Sequence, residues 1–152
     1  MKKGVLAVLC TALGAGIGIS FEKFQSITSE NVLEVKLRSY YDTLSGWLKL
    51  KQLNRSIEEY LLKEGYQEIA IYAMGEMGNL LYDELENSAV KVKYAIDQDM
   101  DISHPKAKVI TMDDSLEKID AVIVSIGFAH KDVKQALKNK IDCPVLSLQD
   151  IV

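Results

Sequence analysis

The chain has few of the residues that staple small secreted scaffolds or build metal centres. Its 152 residues include two cysteines and two histidines. Cys10 falls in an apolar N-terminal run and Cys143 near the C-terminus, in neither a C-x-x-C nor a zinc spacing. That argues against a disulfide framework and fits a reducing compartment better. His104 and His130 each stand alone, so no metal constellation is visible. Positive charge is not in excess: 18 Lys and Arg stand against 22 Asp and Glu, a net charge of −4. No basic field is available, and nucleic acid is not an expected partner. No Ser/His/Asp or Cys/His arrangement and no Y-x-x-x-K pair is legible, so no catalytic residue is assigned. Internal repeats and low-complexity stretches are absent too. What remains is an ordinary globular composition, 48% hydrophobic, long enough for one domain and some extra segments.

The N-terminus is the first positive signal. Lys2 and Lys3 precede an uncharged run from Gly4 to Phe21. At 18 residues it reaches the lower end of a membrane-spanning helix. Gly14, Gly16 and Gly18 suit a membrane helix better than a water-exposed one, and Gly14-x-x-x-Gly18 has small-residue packing spacing. Three readings stay open: a single-pass anchor over 1–21, a cleaved signal peptide, or a segment buried in the fold. Lys23, Lys36 and Arg38 on the far side nearly balance Lys2 and Lys3, so charge does not fix orientation. A single-pass protein of the cell membrane, with its folded domain on the cytoplasmic side, is the expectation.

A helical linker over 22–56 follows. Leu33, Leu37, Tyr40, Leu44 and Trp47 recur at spacings of four, three, four and three. This stripe can lay one face on the domain or on a membrane surface. It can also mediate self-association or contact with a protein partner. Ser56-Ile-Glu-Glu59 has capping-box spacing and opens a short helix that Gly65 closes.

From residue 57 to 152 strands alternate with helices. The expected strands are Glu68–Tyr72, Val90–Ile96, Lys108–Thr111, Asp120–Ser125 and Pro144–Leu148. Met112 to Lys118 reads as a turn and a short helix, and Lys131 to Asn139 as a helix. The loop Gln98–Lys106 contains Pro105. This rhythm predicts an α/β fold, a Rossmann-like open parallel sheet of about five strands in the order 3-2-1-4-5 with flanking helices. Ligands bind such sheets beyond the carboxyl ends of the strands, where the order reverses.

The stretch Ile69-Ala-Ile-Tyr-Ala-Met-Gly-Glu-Met-Gly78 has the layout of a dinucleotide-binding turn: strand, glycine-bearing turn, helix, strand, acidic residue. Gly75 lets the backbone approach a pyrophosphate, and Gly78 lets helix and strand pack closely. Ala73 stands where the fingerprint has its first glycine, and Glu76 needs to point outward. Met74 and Met77 are expected to line the turn. Asp97, ending the second strand, is placed to accept from a ribose diol. The loop Ser125–His130 closes the group, so the candidate cofactor-binding residues are Ala73, Gly75, Glu76, Met77, Gly78, Asp97, Ser125 and Gly127. The bland alternatives are a tight strand-to-helix turn without ligand and a strand-ending Asp that opens the next turn. His130 beside a helix start reads as a surface residue.

Together with Val92-Lys-Tyr-Ala-Ile-Asp97 and Ile119-Asp-Ala-Val-Ile-Val124, that stretch resembles the small Rossmann-like domain of bacterial surface-polysaccharide proteins. Such domains follow membrane helices in membrane-bound nucleotide-sugar dehydratases and epimerases, and they open some sugar acetyltransferases. The resemblance covers about 57–152 and lacks the larger catalytic domain of the dehydratases. The regulatory nucleotide-binding domains of potassium channels are similar over the first βαβ unit only. The resemblance implies a membrane-anchored module that binds a nucleotide, a nucleotide sugar or NAD(H), not a complete enzyme alone. An NAD-dependent nucleotide-sugar epimerase or reductase, and a scaffold without ligand, are the alternatives.

Overall fold

The computed structural model describes residues 31–98 and 107–152. The apolar run Gly4–Phe21 and most of the loop Gln98–Lys106 lie outside the described residues. None of the described helices is long and apolar enough to cross a membrane. The chain divides into two compact units, Met1–Leu37 and Arg38–Val152. In the first, the described residues 31–37 are helical. The second holds the sheet.

Five strands form that sheet: β1 (Glu68–Tyr72), β2 (Lys91–Ile96), β3 (Val109–Ile110), β4 (Ala121–Val124) and β5 (Val145–Ser147). All pairs are parallel and the order is β3-β2-β1-β4-β5, as the alternation of elements predicts. Helix α1 runs over 31–52. After it come α2 (Ile57–Lys63), α3 (Glu76–Leu85), α4 (His130–Leu137) and α5 (Leu148–Ile151).

The strands are apolar on both faces because both faces are covered. Ile69, Ile71, Ala95, Ala121 and Ile123 face one core. There they meet Trp47 of α1, Ile57 and Leu61 of α2, Met77, Leu81 and Leu85 of α3, and Leu148 and Ile151 of α5. The alternate residues Ala70, Tyr94, Ile96, Val122 and Val124 face a second core with Val133 and Leu137 of α4.

Local signals explain the element ends. Ser56 caps α2 by accepting the Glu59 amide at 3.1 Å. Gly65, with φ of 85°, then turns the chain out of that helix. Two segments differ from the sequence expectation. Residues 112–118 form no helix. Asp114 ties this segment into a turn by accepting from the amide and hydroxyl of Thr111. The carbonyls of Glu117 and Lys118 are taken by the Tyr94 hydroxyl and the Lys93 ammonium, so they feed no helical ladder. And Leu148, expected in the last strand, instead opens α5.

The expected stripe on the first helix also divides. Trp47 and Tyr40 pack on the core around α3 and α5, whereas Leu33, Leu37 and Leu44 are exposed. The residues that seat α1 are small. Ser39 and Thr43 are buried, and a Cβ on Gly46 would lie 3.1 Å from the Val152 backbone. The sheet unit thus begins at Arg38 and takes in half of the expected linker.

Asp120 clamps the starts of β4 and β1 together. Its Oδ2 accepts the amides of Gln67 at 2.9 Å and Glu68 at 2.8 Å. Those donors hold its carboxyl below the usual range. A depressed folded pKa means that the clamp contributes fully above the unfolded value of about 3.9 and is lost as pH falls through the lower folded value. Because Asp120 is exposed, solvent screening keeps the effect near or below about 1 kcal/mol. Asp120→Ala should lower the urea midpoint at pH 7, and its deficit against wild type should shrink below about pH 4. A deficit equal at pH 7 and pH 3 would contradict the clamp.

Candidate functional site

The chain crosses from β1 to β2 through α3 on one face and from β4 to β5 through α4 on the other. The order therefore reverses between the neighbours β1 and β4, and their carboxyl ends diverge there. Three segments meet at that switch point: the turn after Tyr72, the end of β2 at Asp97, and the β4–α4 loop.

The turn after β1 is held from both sides. The Ala73 amide donates to the Ile96 carbonyl at 2.9 Å. The Met74 amide donates to Asp97 Oδ2 at 2.6 Å. From the other flank, the Ser125 hydroxyl donates to the Ala73 carbonyl at 2.7 Å, and the Ser125 amide to the Tyr72 carbonyl at 3.1 Å. Ala73 itself sits at φ of 71°, in the left-handed region. That is the conformation the missing glycine would supply, here imposed on an L-residue that resists it. Ala73→Gly should be neutral to about 1 kcal/mol more stable, because relief of the left-handed alanine offsets the larger unfolded-state entropy of glycine. Chemical denaturation checks this, and a loss of stability contradicts it.

Gly75 then caps α3 with extended backbone and no side-chain hydrogen bond. The first amides of α3 have no intrahelical acceptor, and no side chain caps them at Gly75. Among the described residues, a Cβ on Gly75 would meet nothing within 4 Å, so no described residue covers this backbone. Gly78 is the opposite case: a Cβ there would lie 2.2 Å from the Ala73 carbonyl oxygen. Gly78 thus packs the helix closely on the turn, while no described residue covers Gly75.

The other candidates are placed less uniformly. Glu76 is exposed at the first position of α3, where its charge suits the helix dipole but competes with a bound anion. Met74 and Met77 do not line the turn. Both are buried in the core under α3, at 0% and 4% exposure. Gly127 begins a short 3-10 turn, Gly127–Ala129. It faces the Ser39–Gln149 pair, and a Cβ on it would lie 2.4 Å from Gln149 Oε1 and 3.0 Å from Ser39 Oγ. So Ala73, Gly75, Gly78, Asp97 and Ser125 form one connected group, with Glu76 at its edge. Met77 belongs to the core, and Gly127 to the contact with α1 and α5.

The electrostatics are those of a neutral to acidic site. Among 73–78, 97–98 and 125–130 there is no Lys or Arg. His130 Nε2 lies 3.0 Å from the Val145 carbonyl, so that nitrogen carries the proton and the ring is tied to β5. The Tyr72 hydroxyl reaches Met112 Sδ at 3.6 Å. Burial, and then the Asp97 charge, push its pKa above the ordinary tyrosine value. Neither group is set up for proton transfer at the turn. A cleft of about 380 Å³ bordered by Leu116, Ile119, Lys140 and Cys143 lies beside the starts of β4 and β5, at the opposite end of the strands. Burial raises the Cys143 thiol above its ordinary pKa, which makes it a poor nucleophile. Among the described residues no cluster of His, Cys, Asp and Glu could hold a metal ion.

Three features escaped the sequence. The left-handed Ala73 has no compositional signal. The Asp97–Met74 bond depends on register across β1 and β2. The contact of α1 with the β4–α4 loop did have a signal, the small residues Ser39, Thr43 and Gly46 on one helical face. No family model, no curated protein and no solved structure matches the chain.

Proposed function

We propose that this chain is a membrane-anchored, Rossmann-like module that binds a nucleotide-type ligand, a nucleotide sugar or NAD(H), at the switch point beside Gly75. It acts as a binding or regulatory partner in surface-polysaccharide metabolism and is not a complete enzyme alone. The observation that carries the reading is the pairing of an open, uncapped helix start at Gly75 with a close-packed Gly78 one turn later. Open amides at a helix N-terminus favour an anionic group, and Asp97 lies beside the same turn to take a ribose diol. The polysaccharide context and the anchor rest on the sequence resemblance and on the run Gly4–Phe21.

One observation favours a second reading, a turn closed on itself. Asp97 Oδ2 already takes the Met74 amide, so the carboxylate itself neutralises one donor of the turn. In that case the module is a scaffold without ligand.

Thermal denaturation of the full-length chain with NAD, NADP and UDP-glucose separates the two. A ligand at 100 times its dissociation constant adds about 2.7 kcal/mol of apparent stability. Stabilisation is expected with NAD or UDP-glucose. NADP should do less than NAD, because Asp97 repels a 2′-phosphate. Gly75→Val should keep the unliganded melting temperature near wild type and abolish the ligand effect, since its side chain points into open space where the ligand would lie. Stabilisation that survives Gly75→Val, or no stabilisation of wild type by any of the three, would sink the nucleotide reading.

A further inference from the structure

Helix α1 is attached to the sheet unit at two separate places. Near its C-terminal end, Trp47 Nε1 and Lys51 Nζ bond the Glu84 carboxylate at 2.6 and 2.7 Å. Near the start of the unit, at the carboxyl end of the strands, Ser39 Oγ donates to Gln149 Oε1 at 2.9 Å. Beside it Tyr40 meets Phe128 edge to face, with ring centroids 6.1 Å apart. Gly127 lies directly under the Ser39–Gln149 pair, where an added Cβ would displace the Gln149 amide.

The ring contact and the close approach at Gly127 fall on the β4–α4 loop, whereas Gln149 belongs to α5. Two residues before Gly127, that same loop supplies Ser125, whose hydroxyl holds the Ala73 carbonyl of the turn. The turn, through Ser125, and α1, through Tyr40, therefore both contact one short loop. The two attachments of α1 also differ in kind. The far one uses a carboxylate and charge-assisted bonds. The near one uses a neutral hydrogen bond and an aromatic edge, which are weaker. Gly46 stands between them in the helix, where glycine lowers helical stiffness. The near attachment is thus the weaker in its hydrogen bonding, while Ser39 and Thr43 are buried there and Tyr40 packs on the core.

We propose that α1 reads the occupancy of the switch-point site: ligand binding at the Gly75 turn and docking of Ser39 and Tyr40 on the Gly127–Phe128 loop are thermodynamically linked. The proposal rests on the nucleotide reading above. A ligand that fixes the turn fixes Ser125 and the loop, and a fixed loop holds Tyr40 through Phe128 and keeps Gly127 seated under the Ser39–Gln149 pair. Linkage requires the converse with the same factor, so loosening α1 must weaken the ligand. Ser39 and Tyr40 are positioning residues in this scheme; neither needs to touch the ligand.

The experiment is amide hydrogen exchange of the full-length chain with and without saturating NAD or UDP-glucose, beside affinities of the same probes for wild type, Ser39→Ala and Tyr40→Ala. Exchange over 38–44 should slow about fivefold or more, while α2 at the other end of the sheet changes little. The two variants should bind the probe about fivefold or more weakly. Tyr40→Phe, which keeps the ring, should restore wild-type affinity. If a probe binds in a Gly75-dependent way but exchange over 38–44 is unchanged, the coupling is overturned and the nucleotide reading stands. The coupling is likewise overturned if exchange slows uniformly across α1 and α2, or if the variants bind like wild type. If neither probe binds wild type, both fall together. Wild-type exchange needs no variant, so the first comparison stands even where Tyr40→Ala fails to fold.

Discussion

Gly78→Ala is expected to cost about 3 kcal/mol, at the upper end of what overpacking usually costs. Two effects compete at this position. Alanine is the better helix former by about 1 kcal/mol. Against that, the added Cβ would lie 2.2 Å from the Ala73 carbonyl oxygen. The obstacle is backbone, not the end of a flexible side chain, and that carbonyl is already the acceptor of the Ser125 hydroxyl. The helix cannot move away without lifting Met77 and Leu81 from the core they fill. The clash therefore wins. Gly75→Ala, three residues earlier, should cost no more than about 1 kcal/mol, the loss of glycine as helix cap, because its Cβ meets no described residue and φ is negative. Urea midpoints of the two variants check the contrast. Equal effects would mean that α3 does not start against the turn as described.

Glu84→Ala should be about as costly, again about 3 kcal/mol, for a different reason. Glu84 accepts from Trp47 Nε1 at 2.6 Å, from the Ile57 amide at 3.1 Å and from Lys51 at 2.7 Å. Trp47 and Ile57 are buried. Removing the carboxylate leaves two buried donors without an acceptor, at about 1–3 kcal/mol each. Lys51 is half exposed and adds little. Trp47 is the only tryptophan of the chain, so its emission reports this corner directly and should shift to the red in the variant. A loss under about 1 kcal/mol with unchanged emission would show that the carboxylate is dispensable.

What could be read from the sequence follows from how local each determinant is. The continuous apolar runs Ile69–Ile71 and Ala121–Val124 announce strands covered on both faces, and their alternation with helical segments fixes parallel pairing and strand order. Ser56 and Gly65 mark the ends of α2 through their own side chain and backbone. Residues 112–118 are less legible, since their conformation is set by Tyr94 and Lys93, which come from β2. The heptad-like stripe of α1 misleads because Trp47 and Tyr40 turn toward the core while Leu44 turns outward, a choice made by the small residues Ser39, Thr43 and Gly46 on the adjacent face. In the site, the glycine spacing announces the close packing of α3 on the turn at Gly78. It does not distinguish side chains beneath the turn from side chains lining it, so Met77, expected at the ligand, lies in the core. Asp97 and Ser125 stand at their strand ends as expected. Their bracing of the turn depends on the alignment of Tyr72 with Ile96 and Val124, a property of the assembled sheet.

The most direct test of the central proposal is an amide chemical-shift map of the full-length chain titrated with NAD and, separately, with UDP-glucose. A nucleotide at the switch point should move the amides of Met74, Gly75, Glu76, Asp97 and Ser125 along one saturable curve and leave the cleft residues Ile119 and Cys143 in place. Saturable shifts confined to Ile119, Lys140 and Cys143, or no saturable shift with either ligand, would contradict it.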